Sequence, residues 1–239
     1  MVGKEKRIIL ALRSYFASAK RKKAVIGISG GVDSALTALL AVRAIGSKNV
    51  IGVLLPSSFT PKKDMEDARE LCRMLKIRKI EINAIPLANA TAGSLPMKLK
   101  PLSFGNLIAR LRMLILYALA NEENALVIGT GDKSEISIGY FTKYGDGACD
   151  ILPIGNLYKT EAISLAKKFG IPPSICNKSS SPRLWKGHSA KGELGAEYEE
   201  IDSVLSLIEK GKKPKGKFAR SIAKRIRESR HKRIAPPVV

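Results

Sequence analysis

The amino-acid sequence predicts an α/β protein in which a parallel sheet is flanked by helices on both faces. Two observations support this prediction. Strand-like apolar segments alternate with helix-like segments, and a glycine-rich loop follows the first strand and opens an apolar helix. Parallel strands joined through helices need right-handed crossovers, which cover both faces of the sheet. At 239 residues and 45% hydrophobic, the chain can bury one sizeable core, so we expect residues 1–239 to form a single domain.

The individual elements are predicted from hydrophobic periodicity and turn residues. Helices are expected at residues 4–18, 35–44, 64–75 and 106–120, and strands at residues 25–28, 50–55, 79–83 and 125–128. Ligands of parallel sheets bind beyond the carboxyl ends of the strands. The loops that follow the first and fourth strands should therefore face one crevice.

The loop after the first strand has the features of a phosphate site. Residues 29–34 read SGGVDS. Adjacent glycines let the backbone approach an anion, and the start of the next helix offers free N–H groups. The Asp33 carboxylate can lie beside phosphate only with a metal cation between them. The alternative is a capped Gly-Gly turn between a strand and a helix.

The spacing of this loop differs from the G-x-x-x-x-G-K-[ST] and G-x-G-x-x-G patterns. It resembles instead the SGGxDS signature of the ATP pyrophosphatase (PP-loop) family. Members of that family hold the pyrophosphate that leaves when ATP adenylates a substrate.

The segment after the fourth strand supplies further polar chemistry. Residues 129–135 read GTGDKSE, which places glycines, a hydroxyl and a helix start after a buried strand. Mg²⁺ completed by water and phosphate oxygens needs only one or two protein carboxylates, so Asp33 and Glu135 suffice as ligands. Glu135 alone could equally be a solvated carboxylate in a first helical turn. Residues 139–150 are glycine-rich and polar, which is typical of a binding loop.

The chain carries a formal net charge of +21, which favours a polyanionic partner such as RNA. Residues 210–234 contain 12 Lys or Arg residues and one acid, Glu228. A stacking platform for bases would need more aromatic side chains than Phe218. A solvated basic helix, a phosphate clamp for a dinucleotide and an RNA-backbone patch are the three interpretations of this tail.

The cysteines and the hydropathy pattern indicate the cellular compartment. Cys72, Cys149 and Cys176 are far apart and form no C-x-x-C pair, so neither a disulfide framework nor a zinc knuckle is predicted. The apolar run near the N-terminus ends at Arg13, which is too short for a signal-peptide core. No segment is predicted to span a membrane. We expect a cytoplasmic protein with no membrane partner.

Several longer motifs together resemble the ammonia-dependent NAD synthetase family. They are GISGGVDSAL, GNLIARLRMLILYALA, GTGDKSE, GYFTKYGDGACDILPIGNLYKTE, LWKG, GELGAEYEEID and ESRHKR. The resemblance implies a Rossmann-like, adenine nucleotide hydrolase-type (PP-loop) fold and a homodimeric ligase. The implied reaction is the last step of NAD biosynthesis. ATP adenylates the nicotinate carboxylate of deamido-NAD with release of pyrophosphate, and ammonia then displaces AMP.

The resemblance also implies roles for individual residues. The ATP-binding residues would be Gly27, Ile28, Ser29, Gly30, Gly31, Val32, Asp33, Ser34, Thr130, Lys159 and Ser181. Mg²⁺ would be held by Asp33 and Glu135. Deamido-NAD would contact Arg110, Lys143, Asp150, His231 and Lys232. Lys159 would act electrostatically as pyrophosphate leaves, and no covalent nucleophile is required. The basic tail would then bind a dianionic dinucleotide, and a nucleic-acid partner is not expected.

Three places depart from the family pattern. Ser180-Ser181-Pro182 replaces the usual PSA, which changes the backbone freedom of a closing loop. Ala190-Lys191 replaces an acidic pair, so any role of that pair in ammonia capture or deprotonation is lost. Asp132 replaces an Asn, a change that we expect to cost little.

Free ammonia is the expected nitrogen donor. A glutamine-dependent enzyme needs an amidase domain with its own Cys nucleophile, whereas here the phosphate loop already begins near residue 29. Two alternatives stay open at this point. One is an RNA-modifying enzyme of the same fold that adenylates a tRNA base. The other is a nucleotide-binding module in which Ala190-Lys191 has disabled catalysis.

Overall fold

Four parallel strands form the centre of the protein. The computed structural model describes residues 3–183, 185, 187–213 and 215–238. The strands are β1 (Lys23–Gly27), β2 (Val50–Leu54), β3 (Arg78–Glu81) and β4 (Ala125–Ile128), in the order β3-β2-β1-β4. In the centre of the sheet, Val25 of β1 lies between Ile51 of β2 and Val127 of β4. The α/β class with a parallel sheet is confirmed.

Eleven α-helices accompany the sheet in the described part of the chain. They are α1 (Lys4–Ser18), α2 (Val32–Ile45), α3 (Lys62–Met74), α4 (Ile85–Gly93), α5 (Pro101–Glu122), α6 (Lys133–Ile138), α7 (Lys159–Lys168), α8 (Pro173–Cys176), α9 (Ala190–Leu194), α10 (Tyr198–Glu209) and α11 (Lys217–Glu228). Two short 3₁₀ helices span Ser47–Asn49 and Arg230–Lys232.

Both faces of the sheet are covered, because successive strand residues point to opposite sides. On one face, Ala24 and Ile26 of β1 pack with α1, α2, α3 and α7 in the largest core cluster. On the other face, Val25 of β1 packs with Val127 and with Ala120 of α5. The crevice beyond the carboxyl ends of the strands therefore has α2 on one side and α5 on the other.

The predicted boundaries of α1 and β4 agree with the structure, and others shift. β1 ends at Gly27, so Ile28 opens the loop, although its N–H still donates to the Val53 carbonyl at 2.8 Å. α5 begins at Pro101, five residues before the predicted start at Asn106. Proline suits a first helical turn because its fixed φ is helical and its missing N–H has no partner there. α4 was not predicted, because its small side chains show little periodicity.

The C-terminal part forms a smaller cluster beside the sheet. Ile201 of α10, Ile222 of α11 and Ile138 of α6 are buried together in it. α11 buries Ala219 and Ile222, while most of its basic side chains lie on the opposite side. The interpretation of this segment as a largely solvated basic helix agrees with that arrangement.

One helix in the described ranges, α5, is long and apolar enough to cross a membrane by length and composition alone. In the fold it packs on the sheet through Ala120, and Ile108 and Leu111 pack against Ala88 of α4. Its Leu102 and Leu114 are 53% and 56% exposed.

Gly30 is expected to tolerate no side chain. Its φ of 78° lies in the left-handed region, and a Cβ at this position would clash with the backbone carbonyl of Asp64 in α3. Gly30→Ala should lower the free energy of unfolding by more than about 2 kcal/mol, because the left-handed cost of 1–2 kcal/mol is joined by a backbone clash. Thermal and denaturant unfolding would measure the loss.

The control for this substitution is Gly170→Ala. Gly170 has a similar φ of 75° but would meet no atom within 4 Å. Its substitution carries only the conformational cost. Equal losses for the two variants would show that the Asp64 contact is unimportant.

Candidate active site

A cavity of about 500 Å³ lies beyond the carboxyl ends of β1, β2 and β4. Its walls come from the loop after β1, the start of α3, the middle of α5 and the loop after β4. Segments 139–148 and 178–193 close two further sides. The two predicted loops thus face one crevice, as the strand order requires.

The structure brings most of the predicted nucleotide and metal residues to this cavity. Those in its lining are Gly27, Ile28, Ser29, Gly31, Val32, Asp33, Ser34, Thr130, Glu135, Lys159, Ser181 and Lys232. Gly30 lies in the same loop, where its carbonyl oxygen accepts a hydrogen bond from Lys178 Nζ at 2.8 Å.

The phosphate loop is braced by its own serines. The Ser29 N–H donates to Ser34 Oγ at 3.2 Å, and the Gly31 N–H lies 3.2 Å from Ser29 Oγ. Ser34 Oγ donates in turn to the Gly31 carbonyl at 3.0 Å. Gly31 is the N-cap of α2, so the positive end of that helix dipole faces the loop. The arrangement suits an anion such as phosphate.

Lys159 is the centre of the charged cluster at this end of the cavity. Its side chain is fully buried at the start of α7, and Nζ lies 2.7 Å from Asp33, 2.9 Å from Asp132 and 2.8 Å from Glu135. Its backbone N–H donates to Ser134 Oγ at 2.9 Å, which fixes the start of the helix. One ammonium therefore joins three carboxylates.

Burial and mutual interaction shift the pKa values of these groups. Burial alone would lower the pKa of Lys159, but the three carboxylates raise it well above its usual value, so the ammonium stays charged. Burial, with the neighbouring carboxylates, raises the pKa of Asp132 to about 6 and that of Glu135 to about 8, against the opposing effect of Lys159. The cluster carries more negative charge than one ammonium can neutralise.

The cluster fits a hard divalent cation such as Mg²⁺. Carboxylate oxygens of Asp33, Asp132 and Glu135 all lie within 4.8 Å of one another. Asp33 Oδ1 is buried and has no hydrogen-bond partner among the described residues. Oxygen donors at this spacing are what Mg²⁺ prefers, and an unpartnered buried carboxylate oxygen is costly unless a cation satisfies it.

Asp132 has a larger role in the charged cluster than the sequence predicts. It is fully buried and is the N-cap of α6, where Oδ1 accepts from the Glu135 N–H at 2.8 Å. Asn would serve that cap equally well. The second oxygen of Asp132, however, adds a third carboxylate to the Lys159 cluster. The D-x-x-E spacing was the available signal, since it is a capping box.

Four of the residues predicted to bind the dinucleotide meet at the rim of the cavity. Arg110 Nε lies 3.3 Å from the Lys143 carbonyl, and Lys143 Nζ donates to the His231 carbonyl at 2.7 Å. Lys232 Nζ donates to the carbonyls of Gly139 and Phe141 at 2.8 and 2.7 Å, and burial lowers its pKa. We call Arg110, Lys143, His231 and Lys232 the rim cluster. Among them, Lys232 lines the cavity.

The fifth predicted residue, Asp150, lies elsewhere. Its carboxylate accepts hydrogen bonds from the Val127 N–H at 2.7 Å and from the Tyr117 hydroxyl at 3.1 Å. Both oxygens thus hold the chain that runs beside β4, and Asp150 is not among the lining residues of the cavity. The structure does not bring it together with the rim cluster.

The described residues of segment 178–193, where two of the departures from the family pattern lie, form one wall of the cavity. Ser181 Oγ donates to the His188 carbonyl, and Lys178 Nζ lies 2.8 Å from Asp64 and 2.9 Å from Asp67. Leu184 and Lys186 of the LWKG motif lie outside the described residues.

The replaced acidic pair contributes no carboxylate, as expected. Ala190 is buried, and Lys191 pairs with Glu197 at 2.8 Å. A different acid, Glu193, lines the cavity, where it lies 2.8 Å from His188 Nε2 and accepts from the Tyr140 hydroxyl at 3.0 Å.

Asp132→Asn should make the metal-free protein more stable at pH 8. The pKa of Asp132 rises from 3.8 to about 6 on folding, so the folded state binds this proton more tightly. The free energy of unfolding of the wild type therefore falls as the pH rises from about 4 to about 6. The variant has no carboxyl group at this position to ionise, so it escapes this loss. The expected gain at pH 8 is on the order of 1–3 kcal/mol, and it should vanish near pH 4. Urea unfolding with a chelator present would measure it.

Asp150→Asn is the contrasting control, because that carboxylate is satisfied by two donors. Its loss should destabilise the protein at pH 8. A destabilised Asp132→Asn variant at pH 8 would mean that Lys159 needs all three carboxylates.

Comparison with known proteins places the chain in a family. A sequence model described as NAD synthase matches residues 5–236. An NH(3)-dependent NAD(+) synthetase from Pyrobaculum aerophilum is 43% identical over 98% of this chain and 91% of that protein. One from Methanosarcina mazei is 45% identical over 98% and 96%. The solved structure of an NMN synthetase from Francisella tularensis superposes with a TM-score of 0.92 at 37% identity, covering 99% of this chain and 97% of that one.

These matches extend over nearly the whole chain and include both the phosphate loop and the terminal ESRHKR motif. The similarity therefore extends well beyond the SGGxDS loop, and the fold is shared with the Francisella tularensis structure. The chain belongs to the NAD synthase family.

Proposed function

We propose that this protein is an ammonia-dependent NAD synthetase, a ligase that amidates deamido-NAD at the expense of ATP. The observation that carries the proposal is the phosphate loop and the Lys159 cluster meeting in one cavity. The full-length similarity to NH(3)-dependent NAD(+) synthetases supports the same reaction. Residues from Gly27 to Lys232 line one cavity, which supports a single catalytic domain.

The reaction has two steps. An oxygen of the nicotinate carboxylate forms a bond to the α-phosphorus of ATP, and the bond from that phosphorus to the bridging oxygen breaks, releasing pyrophosphate. Ammonia then attacks the carbonyl carbon of the adenylate, AMP leaves with the bonding electrons, and the nitrogen loses a proton. No side chain forms a covalent intermediate. The residues needed are therefore those that hold the charged groups of the substrates in position.

Lys159 supplies the fixed positive charge for the first step. Its ammonium is held in place by carboxylates and stays protonated, so it stabilises the negative charge that develops on the leaving pyrophosphate. The backbone N–H groups of the phosphate loop and the Thr130 and Ser181 hydroxyls line the same space and bind phosphate oxygens.

Asp33 and Glu135, together with Asp132, would hold Mg²⁺. The metal, when bound, screens the charge of the triphosphate. The protein's part is to keep the three carboxylates together, and the Lys159 contacts do so.

The rim cluster binds the dinucleotide. Arg110, Lys143 and Lys232 supply positive charge for a dianionic diphosphate, and a hydrogen bond from Arg110 to the Lys143 carbonyl holds two of them together. Asp150 remains a predicted contact of deamido-NAD, and its hydrogen bonds to β4 do not support that role.

A homodimer is the proposed assembly. The outer stripe of α5 carries Leu114, which is 56% exposed, and Leu102 at the start of the same helix is 53% exposed. Apolar surface of this kind marks a contact with another protein. Arg110 shares the exposed stripe with Leu114, four residues apart on one helix face, so a second copy would cover the rim cluster.

A second acceptor is supported by one comparison. The Francisella tularensis structure, at 37% identity, is described as an NMN synthetase. The corresponding acceptor for this chain would be the acid form of the mononucleotide. The four basic groups of the rim cluster favour the dinucleotide, which has the longer anionic chain.

The test of the function is a stoichiometric assay with deamido-NAD, ATP, Mg²⁺ and ammonium. Equal amounts of NAD, AMP and pyrophosphate are expected, because each adenylate formed is consumed by one ammonia. AMP and pyrophosphate without NAD would locate a defect at ammonia attack, as the Ala190-Lys191 replacement could cause. Absence of all products, with turnover of the mononucleotide acid or of a tRNA instead, would overturn the proposal.

Asp33→Asn is the inactive reference in that assay. It keeps the size of the side chain and removes a metal ligand, so turnover should fall about 100-fold or more while the far-UV spectrum is unchanged.

Leu114→Glu should weaken the dimer, because a buried carboxylate at an apolar interface is unfavourable. Sedimentation at micromolar protein should shift from dimer to monomer. The control is Leu10→Glu, at a residue that is 57% exposed on a different helix, α1. A monomeric wild type, or equal shifts for both variants, would count against this interface.

A further inference from the structure

Arg112 is a charged residue of the cavity to which the proposed function assigns no role. It lies on α5 and lines the cavity. Its Nε is buried and has no hydrogen-bond partner among the described residues. Burial lowers its pKa, and the one carboxylate that acts in the opposite direction is Asp146. The Nε–H of a guanidinium that lines the substrate space thus has no acceptor in the described part of the chain.

The position of Arg112 follows from the course of α5 along the sheet. Ala120 packs with residues in the middle of β1 and β4. Leu116, one turn earlier, lies at the end of β1, since a Cβ on Gly27 would be 3.6 Å from its Cδ1. Residues four apart share a helix face, so Arg112 lies on the same face another ~5.4 Å beyond the strand end. Arg110, two residues away, points instead toward the rim cluster.

A guanidinium with a buried and unpaired Nε–H is costly, because that donor has lost the acceptors that water provided. An oxyanion of the ligand restores them. The planar fork of donors matches the two oxygens of a carboxylate or phosphate, and it has no acceptor to offer to an N–H group.

The positions of the basic residues around the cavity indicate which anionic group of the proposed substrate contacts Arg112. Deamido-NAD carries a diphosphate and a nicotinate carboxylate. The rim cluster provides cations for the diphosphate, whereas the reacting carboxylate must reach ATP held by the loop after β1. Arg112 lies between the rim and that loop, on the inner side of α5.

Resting on the proposed function, we propose that Arg112 binds the nicotinate carboxylate and is the residue that distinguishes the acid substrate from the amide product. The acid presents two anionic oxygens to the guanidinium. The amide is neutral and replaces one oxygen by an NH₂ group, which a donor-only side chain cannot bind. The Arg112 guanidinium therefore binds the amide product less tightly than the acid substrate, which favours product release.

Equilibrium binding of the acid and amide dinucleotides tests this role. Calorimetric titrations without ATP would compare deamido-NAD and NAD on the wild-type protein and on Arg112→Gln. The variant should bind deamido-NAD about 10- to 100-fold more weakly, the usual loss for a hydrogen-bonded charged group, and should bind NAD as the wild type does. The control is Arg73→Gln, since Arg73 is 73% exposed and pairs with Glu70 on α3.

Each outcome decides the role. Equal weakening of both dinucleotides would place Arg112 on a group that they share, such as the diphosphate, and would overturn the proposal. Unchanged binding of both would do the same. A wild type that binds neither dinucleotide would instead refute the proposed function. If Arg112→Gln does not fold, Arg112→Lys keeps the charge without the paired donors, and a smaller loss confined to deamido-NAD is expected.

Discussion

The Lys159 ammonium lies among three carboxylates from two loops of the sheet, and the nucleotide end of the cavity depends on these contacts. Asp33 follows β1, while Asp132 and Glu135 follow β4, the strand next to β1 in the sheet. Without the ammonium, carboxylates within 4.8 Å of one another would repel strongly in a buried setting. Lys159 therefore fixes the distance between the two loops.

The same cluster explains how the site can accept both a cation and an anion. Coordination of a cation requires all three carboxylates to be ionised, which with the one ammonium gives two net negative charges for a divalent cation to balance. The buried ammonium, with a divalent cation held by these carboxylates, would present positive charge to the triphosphate of the proposed reaction. Asp132 contributes to this balance, so an Asp in place of Asn does more than cap α6.

The basic residues near the C-terminus fall into two groups, one directed toward the interior and one exposed. Lys232 and Arg233 turn inward, where they donate to backbone carbonyls around the end of α6, and Arg225 reaches the Glu193 carbonyl. The remaining basic side chains of α11 lie on its exposed side. Among the described basic residues of this C-terminal part, Arg225 and Lys232 line the cavity, so most of its positive charge lies away from the substrate space.

Local sequence determined the fold class, the limits of α1 and β4 and the identity of the phosphate loop, because periodicity, glycine and cap residues act over a few neighbouring positions. It also pointed to Asp33, Glu135 and Lys159 as one site through the resemblance to a family. Tertiary structure decided what depends on distant contacts. Asp132 became a member of the Lys159 cluster, Asp150 a partner of β4 and Arg112 an unpaired cation in the cavity. A side chain's charge is readable from sequence, but its partners are set by strand order and helix packing, which bring together residues far apart in the chain.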